Sequence, residues 1–376
     1  MKIAMIGQRG IPATSGGAET CVEHLASALV ARGHEVVVYC RANYTRRNIP
    51  RIYRGIQLRI LPSIPTKHLD ALSHTAFSLL DLLGSDVDLV HIHSVGPGSL
   101  APLARLSGFP TVVTIHAADW LRAKWSFPAR LCLRRALDLA VRSAHLVTTV
   151  SLSLADFLAD TYGVRPVYIP NGVAFQSPAS WSLLDCLGAS ERRFILFAGR
   201  LVPEKDVHLL IEAFHRLIGQ ADLADIHLII AGDSGFSDSY LRKLHRLAGP
   251  NTHFLGAVAP ADLAKLYEQA AVCVLPSHLE GMSLVLLEAA SHACPVIAAD
   301  IPENRNTLKE FANYFTPHSV EALQRALSGV LNNPRDAELL ARAAREHVAR
   351  EFSWEKIARE MEDAYLCAVR RALPRQ

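Results

Sequence analysis

The 376-residue sequence contains no apolar run of the roughly 18 residues that a membrane-spanning helix needs. Even the apolar stretch from Ser277 to Asp300 is interrupted by Glu288 and His292. The first residues, MKIAMIGQRG, turn polar and glycine-bearing by residue seven. We therefore expect a buried strand that enters a loop, not a signal peptide, and no integral membrane protein.

Cysteine is sparse and carries no motif. The seven cysteines are scattered, odd in number and include no CxxC pair. This argues against a disulfide framework or a zinc ribbon. We expect buried thiols in a reducing, cytoplasmic compartment, because Cys40, Cys273 and Cys294 lie in apolar segments.

Two further signatures are missing. The loop GQRGIPATSGGAET is not GxGxxG, and the next strand ends in Tyr39-Cys40-Arg41 where a dehydrogenase would place an acid on the ribose. A metal site is equally unsupported: the pair His91 and His93 has no evident third ligand, and Asp86 and Asp88 precede a buried strand as ordinary entry residues. We expect no resident metal, and neither a nicotinamide cofactor nor a nucleic-acid partner.

What is present indicates two globular domains. Half of the residues are apolar and 20% are charged, and the length exceeds one ordinary core. Residues 1–175 carry 18 Lys+Arg against 11 Asp+Glu, a net of +7, and the remaining 201 carry 21 against 25, a net of −4. A basic half commonly faces an anionic partner.

Short β-branched runs alternate with amphipathic helical patterns throughout, which predicts parallel sheets covered by helices on both faces. The pattern pauses at PNGVAFQSPASW and then restarts. We predict an α/β protein with two doubly wound, Rossmann-like domains, residues 1–175 and 190–352, facing a central cleft. The helix in residues 353–376 should cross back onto the first domain.

Several residues with binding chemistry fall at predicted strand ends. In the first domain, Gly16 and Gly17 precede a helix whose first turn carries Glu19, so the backbone can approach an anion closely. His116 follows the strand TVVTI, with Asp119 just beyond it, and can hydrogen-bond a ligand hydroxyl. In the second domain, Arg200 and Lys205 follow the strand FILFA and suggest a phosphate site.

The segment SHLEGMSLVLLE places one acid on each side of a predicted helix start. We predict a helix from about Met282, with Glu280 before it and Glu288 inside it. Amides of the stretch Gly281, Met282, Ser283 and Leu284 would then be available to an anion between the two acids. A nucleotide sugar has a matching layout: the hydroxyls of the sugar lie at one end, the diphosphate lies in the middle, and the hydroxyls of the ribose lie beyond it.

These motifs resemble the retaining glycosyltransferases of family four, which have the GT-B fold. The resemblance rests on the Glu280–Glu288 pair, on Arg200 with Lys205, and on the glycine pair, and it covers nearly the whole chain. The segments RGIPATSGGAET and HAADWLRAKW are similar to a subgroup from bacterial exopolysaccharide, capsule and O-antigen (lipopolysaccharide) synthesis that includes rhamnosyltransferase-like enzymes. Ala18, Ala117 and Asp206 depart from the subgroup, which often has an aromatic residue, a glycine and a glycine there.

The resemblance implies a retaining, metal-independent hexosyltransferase that uses a UDP-, dTDP- or GDP-sugar. Glu280 would contact the donor sugar and Glu288 the ribose, while Arg200 and Lys205 would neutralise the leaving diphosphate. Gly16 and Gly17 would lie against the phosphates and His116 near the sugar, and Glu19 and Asp119 would lie toward the acceptor. The acceptor would be a glycan or a lipid-linked glycan.

Residues 119–142 mix aromatic and basic side chains, among them Trp120, Trp125 and Phe127. This composition suits the anionic inner face of a plasma membrane, and a solvated helix face is the alternative. Two other functions stay open: a nucleotide-sugar epimerase or hydrolase of the same architecture, and a non-catalytic nucleotide-sugar-binding protein.

Overall fold

The computed structural model describes residues 1–14, 16–45, 49–66, 68–122, 125–180, 192–219, 223, 225–234 and 238–373. The chain folds into two compact units. The first comprises Met1–Gly172 together with Trp354–Gln376, and the second comprises Val173–Ser353. The expected boundaries lay at residues 175 and 352, and the start expected for the second domain, residue 190, lies outside the described residues.

The first unit is built on an eight-stranded sheet in the order β3-β4-β2-β1-β5-β6-β7-β8. All neighbours are parallel except β3 and β4, which are antiparallel. The strands are β1 (Lys2–Ile6), β2 (Glu35–Arg41), β3 (Ile52–Tyr53), β4 (Ile56–Leu61), β5 (Leu89–His93), β6 (Thr111–Ile115), β7 (Leu146–Thr149) and β8 (Val167–Tyr168).

Helices cover both faces of this sheet because its strands alternate apolar side chains toward each face. Ile3 and Met5 join the core layer that contains Met361 and Tyr365 of the last helix, whereas Ala4 and Ile6 join the opposite layer. The helices are α1 (Gly17–Ala31), α2 (Asp70–Leu82), α3 (Val95–Gly98), α4 (Ala101–Leu106), α5 (Phe127–Ser143), α6 (Leu152–Tyr162) and, from the far end of the chain, α14 (Trp354–Ala372). Each fully buried large apolar side chain contributes roughly 1.5–3 kcal/mol.

The last helix, α14, belongs to the first unit although the second unit lies before it in the sequence. Its Tyr365 hydroxyl hydrogen-bonds His91 Nδ1 at 2.8 Å, and Glu362 pairs with Arg32 at the end of α1. The chain thus returns to the first sheet, as the sequence predicts.

The second unit has a six-stranded, fully parallel sheet in the order β11-β10-β9-β12-β13-β14. Its strands are β9 (Phe194–Ala198), β10 (His227–Ala231), β11 (Thr252–Gly256), β12 (Val272–Leu275), β13 (Val296–Ala299) and β14 (Asn313–Phe315). Its helices are α7 (Val207–Ile218), α8 (Asp238–Leu247), α9 (Pro260–Gln269), α10 (Leu284–Ser291), α11 (Pro302–Leu308), α12 (Val320–Asn332) and α13 (Pro334–Glu351).

In the first sheet, the chain leaves β1 toward β2 on one side and later returns to β5 on the other side, so the strand order reverses there. The second sheet has the same reversal at β9, which lies between β10 and β12. In doubly wound sheets, ligands bind outside the carboxyl ends of the strands at such a switch point. In the second unit, the loops after β9 and β12 meet there. They carry Arg200 and Lys205 on one side and Glu280 on the other.

The cysteine expectation is only partly correct. Cys21, Cys40, Cys273 and Cys294 are buried, but Cys132 on α5 is exposed. Helical periodicity places Cys132 on the outer face of α5, which sequence composition alone does not reveal.

Candidate functional site

An ion pair links the loops after β9 and β12. Lys205 closes a short 3₁₀ turn, Pro203–Lys205, and its Nζ lies 2.5 Å from Glu280 Oε1. Both side chains are largely buried, at 13% and 9% exposure. The backbone N–H of His278 donates to the carbonyl of Glu204 at 3.2 Å and holds the same two loops together. The structure therefore brings two of the predicted residues, 75 positions apart, into direct contact.

The helix after Glu280 begins later than predicted. Helix α10 starts at Leu284, and Ser283 is its N-cap residue with extended backbone, φ −82° and ψ 113°. The predicted start at Met282 is therefore wrong, because Gly281 and Ser283 favour a loop that leaves the strand end before the helix turns. Gly281 and Met282 lie in this loop, and Leu284 opens the first turn.

Ser283 has an unusual environment for an N-cap. Its side chain is buried, yet its hydroxyl makes no capping bond and has no hydrogen-bond partner among the described residues. A buried hydroxyl without a partner costs about 1–3 kcal/mol. A hydroxyl in this position, beside the first-turn amides of an eight-residue helix, suits an anionic ligand.

Glu288 lies in the second turn of α10 and contacts Tyr267 of α9. The Tyr267 hydroxyl donates to Glu288 Oε2 at 3.2 Å. Burial raises the pKa of Glu288 to about 7, and the hydrogen bond from Tyr267 only partly opposes that rise. The carboxyl group is therefore divided between its protonated and ionised forms near neutral pH.

Arg200, the other predicted cation, lies in the loop that follows β9. Its side chain is exposed. Gly199 beside it donates its N–H to the carbonyl of Ala231, and a Cβ on Gly232 would overlap the Gly199 carbonyl. Because Gly232 has no side chain, the ends of β9 and β10 can pack closely. This packing fixes the position at which the loop with Arg200 begins.

In the first unit, Gly16 and Gly17 begin helix α1. Gly16 is the N-cap with φ 101°, a left-handed value that favours glycine. A Cβ on Gly16 would also overlap the side chains of Arg9 and Glu19. The glycine is therefore required by the local backbone and packing, whatever ligand it meets.

Glu19 forms a charged pair that sequence inspection missed. The Arg9 guanidinium donates to Glu19 Oε1 and Oε2, each at 3.0 Å, and the Arg9 backbone N–H donates to Oε1 at 3.2 Å. Burial alone would raise the pKa of Glu19, but the hydrogen bonds and charge of Arg9 outweigh burial and lower it. Both oxygens of the carboxylate are thus engaged inside the unit.

His116 follows β6 and is joined to a second histidine. Its Nε2 lies 3.1 Å from His93 Nδ1, and the His91 ring lies tilted against the His93 ring, with ring centroids 3.9 Å apart and planes 37° apart. Burial lowers the pKa of His116 to about 4, although the charges of Glu19 and Asp119 act to raise it. His116 is therefore neutral at physiological pH, and its Nδ1 is the ring nitrogen that the His93 contact leaves for a ligand.

Asp119 opens a short 3₁₀ turn, Asp119–Leu121, and pairs with Arg122 at 3.1 Å. Trp120 in the same turn is 4% exposed and stacks on Phe157 at 5.3 Å. Its assignment to a membrane-facing aromatic surface is therefore wrong, because the turn directs the indole into the core. Within the same predicted surface, Lys124 lies outside the described residues.

We call Arg200, Lys205, Glu280, Ser283 and Glu288 the C-terminal set. We call Gly16, Gly17, Glu19, His116 and Asp119 the N-terminal set. Sequence inspection missed Arg9 and Tyr267, each of which pairs with a predicted residue, and it considered His93 only as a metal ligand and not as the partner of His116. The basic residue in QRG directly before the glycine loop was the one available signal for Arg9.

Two family models divide the chain between them. Residues 15–176 match Glycosyltransferase Family 4, and residues 187–347 match Glycosyl transferases group 1. A glycogen synthase of Mycobacterium tuberculosis is 29% identical over 98% of this chain and 95% of its own length. The chain is a glycosyltransferase of the GT-B type. A phosphatidyl-myo-inositol mannosyltransferase of the same species is 27% identical over 93% of each chain.

Solved structures agree with this fold. A sucrose-phosphate synthase from Thermosynechococcus elongatus superposes with a TM-score of 0.81 at 23% identity, covering 97% of this chain and 98% of its own. Anabaena HepE in complex with UDP-glucose superposes at 0.79 with 21% identity, covering 96% and 98%. Among its described residues, this glycosyltransferase has no helix long and apolar enough to cross a membrane.

Proposed function

We propose that the second unit binds a nucleotide-sugar donor and that the enzyme transfers the sugar with retention of anomeric configuration. The observation that carries the proposal is the buried Lys205–Glu280 pair at the switch point of the second sheet. A cation and an acid at the carboxyl ends of adjacent parallel strands supply a phosphate partner and a hydroxyl partner side by side. The HepE structure, which holds UDP-glucose, supports such a donor.

The diphosphate would be bound by positive groups of the C-terminal set. Lys205 and Arg200 provide two cations in one loop. Ser283 adds a buried hydroxyl, and the first turn of α10 adds backbone amides with no partner inside the helix. No metal ion is required in this scheme, because cations and helix amides stabilise the charge that develops on the leaving group.

The two acids would hold the sugar and the ribose. Glu280 would accept hydrogen bonds from donor-sugar hydroxyls once Lys205 turns to phosphate. Glu288 would accept hydrogen bonds from the ribose. Hydroxyl donors favour the ionised carboxylate, so ribose binding would offset part of the burial that raises the pKa of Glu288.

In the proposed step, the bond between the anomeric carbon and the leaving phosphate oxygen breaks. The acceptor hydroxyl oxygen bonds the same face of that carbon, and its proton passes to the leaving phosphate oxygen. The sugar carries oxocarbenium-like positive charge in between, and the nucleoside diphosphate leaves with the bonding electron pair. Stabilising the diphosphate is then the main contribution of the protein.

The N-terminal set has matching proposed roles. The bare backbone at Gly16 and Gly17 allows close approach of a phosphate. Neutral His116 would exchange a hydrogen bond with a sugar hydroxyl through Nδ1. Glu19 and Asp119, which are ion-paired with Arg9 and Arg122, would shape the acceptor side through these pairs.

The proposed acceptor is a glycan or a lipid-linked glycan of bacterial surface-polysaccharide synthesis, handled in the cytoplasm at the membrane face. Helix α5 supports peripheral contact, since Phe127, Leu131 and Leu139 are 81%, 52% and 47% exposed on a helix that also exposes Arg134 and Arg135. The mannosyltransferase relative, whose name specifies a phosphatidyl-inositol acceptor, fits this choice.

A screen of melting temperature against UDP, dTDP and GDP, followed by the matching sugar donors, tests the donor proposal. We expect one nucleotide family to stabilise the protein and one of its sugars to be transferred. An NMR spectrum of the product should show the donor's anomeric configuration. Inversion of that configuration would contradict the mechanism. Rapid donor turnover without acceptor would favour a hydrolase or epimerase, and binding without any turnover would favour a non-catalytic protein.

A further inference from the structure

Three donor side chains converge in the second unit beside the Lys205–Glu280 pair. His278 Nδ1 lies 2.6 Å and His318 Nδ1 3.2 Å from Asp206 Oδ2. The two imidazole rings are 4.7 Å apart between centroids. The three residues occupy the loops that follow β9, β12 and β14. In the part of the chain that the structure describes, this is the place where three such groups lie within 4.8 Å of one another.

The position of Asp206 indicates a specific use of its carboxylate. Asp206 is the N-cap residue of α7, where an aspartate ordinarily accepts a bond from a helix amide, but its side chain makes no such bond. The carboxylate, 6% exposed, is directed at the two histidines instead. Asp206 and His318 also hold left-handed backbone, φ 48° and 61°, which non-glycine residues rarely adopt.

We propose that Asp206, His278 and His318 form a binding site for a divalent transition-metal ion of the Zn²⁺ class. Two imidazole nitrogens and one carboxylate oxygen are the ligands such ions prefer, and Mg²⁺ and Ca²⁺ prefer oxygen-only sets. A tetrahedral site with bonds of about 2.0–2.1 Å separates its ligand atoms by about 3.3 Å. The distance of 3.2 Å between Asp206 Oδ2 and His318 Nδ1 matches this value. The distance of 2.6 Å between Asp206 Oδ2 and His278 Nδ1 can lengthen to it through a small rotation of the His278 ring, which is 34% exposed.

The fourth position of the site would be open to water or to an exogenous oxygen ligand. An ion here would tie together three loops at the strand ends of the second sheet. It lies outside the transfer chemistry proposed above, because Lys205 and Glu280 are bonded to each other while Asp206 faces the histidines. The site can therefore be tested without a glycosyl donor or acceptor.

The experiment uses full-length, tag-free protein stripped of metal by a chelator. Zn²⁺ is titrated by calorimetry, and Co²⁺ is titrated while its visible absorption bands are recorded, since their intensity distinguishes tetrahedral from octahedral coordination. We expect one saturable site with tetrahedral Co²⁺ bands. Loss of a hydrogen-bond partner of a metal ligand lowers metal affinity by about 10–100-fold. Because His318 and Asp206 are proposed as ligands themselves, His318→Ala and Asp206→Asn should each lower the affinity for Zn²⁺ by more than this.

His253→Ala is the matched control. His253 and His227 form another imidazole pair in this unit, with His253 Nε2 and His227 Nδ1 2.8 Å apart, but that pair is not part of the proposed group. We expect His253→Ala to bind Zn²⁺ like the wild type. His318 is 62% exposed, so its alanine variant should fold, and a wild-type melting temperature without metal would verify this. Absence of a saturable site, or its loss in His253→Ala but not in His318→Ala, would overturn the proposal. Neither outcome bears on the proposed transferase function, because the titrations use no glycosyl donor or acceptor.

Discussion

The N-terminal and C-terminal sets differ in how far their side chains are already satisfied. In the first unit, Glu19 is held by Arg9, Asp119 by Arg122, and His116 by His93. In the second unit, Ser283 keeps a buried hydroxyl without a partner in the described part of the chain, and burial raises the pKa of Glu288 to about 7. The C-terminal set therefore retains, at Ser283 and Glu288, polar groups whose burial a ligand can compensate.

This contrast indicates that residues of the N-terminal set mainly stabilise the folded protein, whereas residues of the C-terminal set mainly bind a ligand. Strained or unsatisfied polar groups cost stability and persist where function needs them. We infer that substitutions in the C-terminal set should change activity or ligand binding most. Substitutions in the N-terminal set should act first on stability.

The largest effect is expected for Glu280→Gln. Glutamine keeps the size of the side chain but loses the negative charge that pairs with Lys205 and that strengthens the hydrogen bonds accepted from sugar hydroxyls. By analogy with removal of one transition-state hydrogen-bond partner, kcat should fall by about 10²–10³-fold. The Kd for the free nucleotide, measured by calorimetry, should change little, because the nucleotide contacts other members of the set.

Glu321→Gln is the matched control for that variant. Glu321 also pairs with a cation, Arg216, but at 61% exposure on the surface of the same unit. Its variant should keep wild-type kcat. Equal, near-wild-type kcat in both variants would remove Glu280 from the catalytic residues.

The next effect concerns stability as a function of pH at Glu288. Its pKa in the folded protein, about 7, exceeds the ordinary 4.5, so the folded state binds more protons between these values. The free energy of unfolding of the wild type should therefore fall as pH rises through that window. Glu288→Gln lacks this penalty and should be more stable by up to about 3 kcal/mol above pH 7, with the difference vanishing near pH 4. Urea unfolding along a pH series measures it.

A gain for Glu288→Gln that does not depend on pH would show that packing, not ionisation, is responsible. Tyr267→Phe sharpens the test, because it removes the hydrogen bond that favours the ionised form of Glu288. In Tyr267→Phe, the free energy of unfolding should therefore fall more steeply with rising pH than in the wild type.

These expectations depend on contacts that join distant segments, and here sequence reasoning reaches its limit. The parallel sheets were predictable because apolar strand runs alternate with helical periodicity. Strands β3 and β14 were missed because they span only Ile52–Tyr53 and Asn313–Phe315, which are too few residues to show an alternating pattern. The start of α10 was misplaced by two residues, since loop and helix compositions merge around Ser283.

The sequence predicted which residues belong to the site, but it did not predict which side chains contact each other. Lys205 and Glu280 were singled out because each follows a strand, and the fold brings two such ends together. No periodicity indicates that Arg9 pairs with Glu19, that Tyr267 meets Glu288, or that Trp120 turns inward. Those contacts depend on tertiary packing between segments whose spacing in sequence carries no information about distance.

A smaller effect is expected for Arg9→Ala in the first unit. Removing the guanidinium leaves the Glu19 carboxylate, 8% exposed, without its charged partner. A fully buried pair would lose roughly 3–5 kcal/mol, but Arg9 is 36% exposed, so we expect about 2 kcal/mol. The free energy of unfolding from urea titration measures the loss.

Two measurements make the Arg9 result decisive for the comparison. The double variant Arg9→Ala/Glu19→Gln should recover part of the stability, because no uncompensated charge remains. The nucleotide Kd should match the wild type, because the Arg9 guanidinium is engaged by Glu19 and is given no nucleotide contact in the proposal. A tenfold loss of nucleotide affinity with unchanged stability would reverse the roles assigned to the two sets.

The smallest effect is expected on the outer face of α5. Each arginine near an anionic bilayer contributes about 1 kcal/mol, so reversing Arg134 and Arg135 to glutamate should weaken binding to vesicles of anionic lipid by tenfold or more. Binding of the wild type should also weaken as salt is raised, because the attraction is screened. Arg350→Glu, an exposed arginine of α13 in the second unit, should leave sedimentation with vesicles unchanged. If wild-type protein fails to sediment with anionic vesicles at low salt, α5 is a solvated helix face, and its exposed Phe127 and Leu131 are ordinary surface residues.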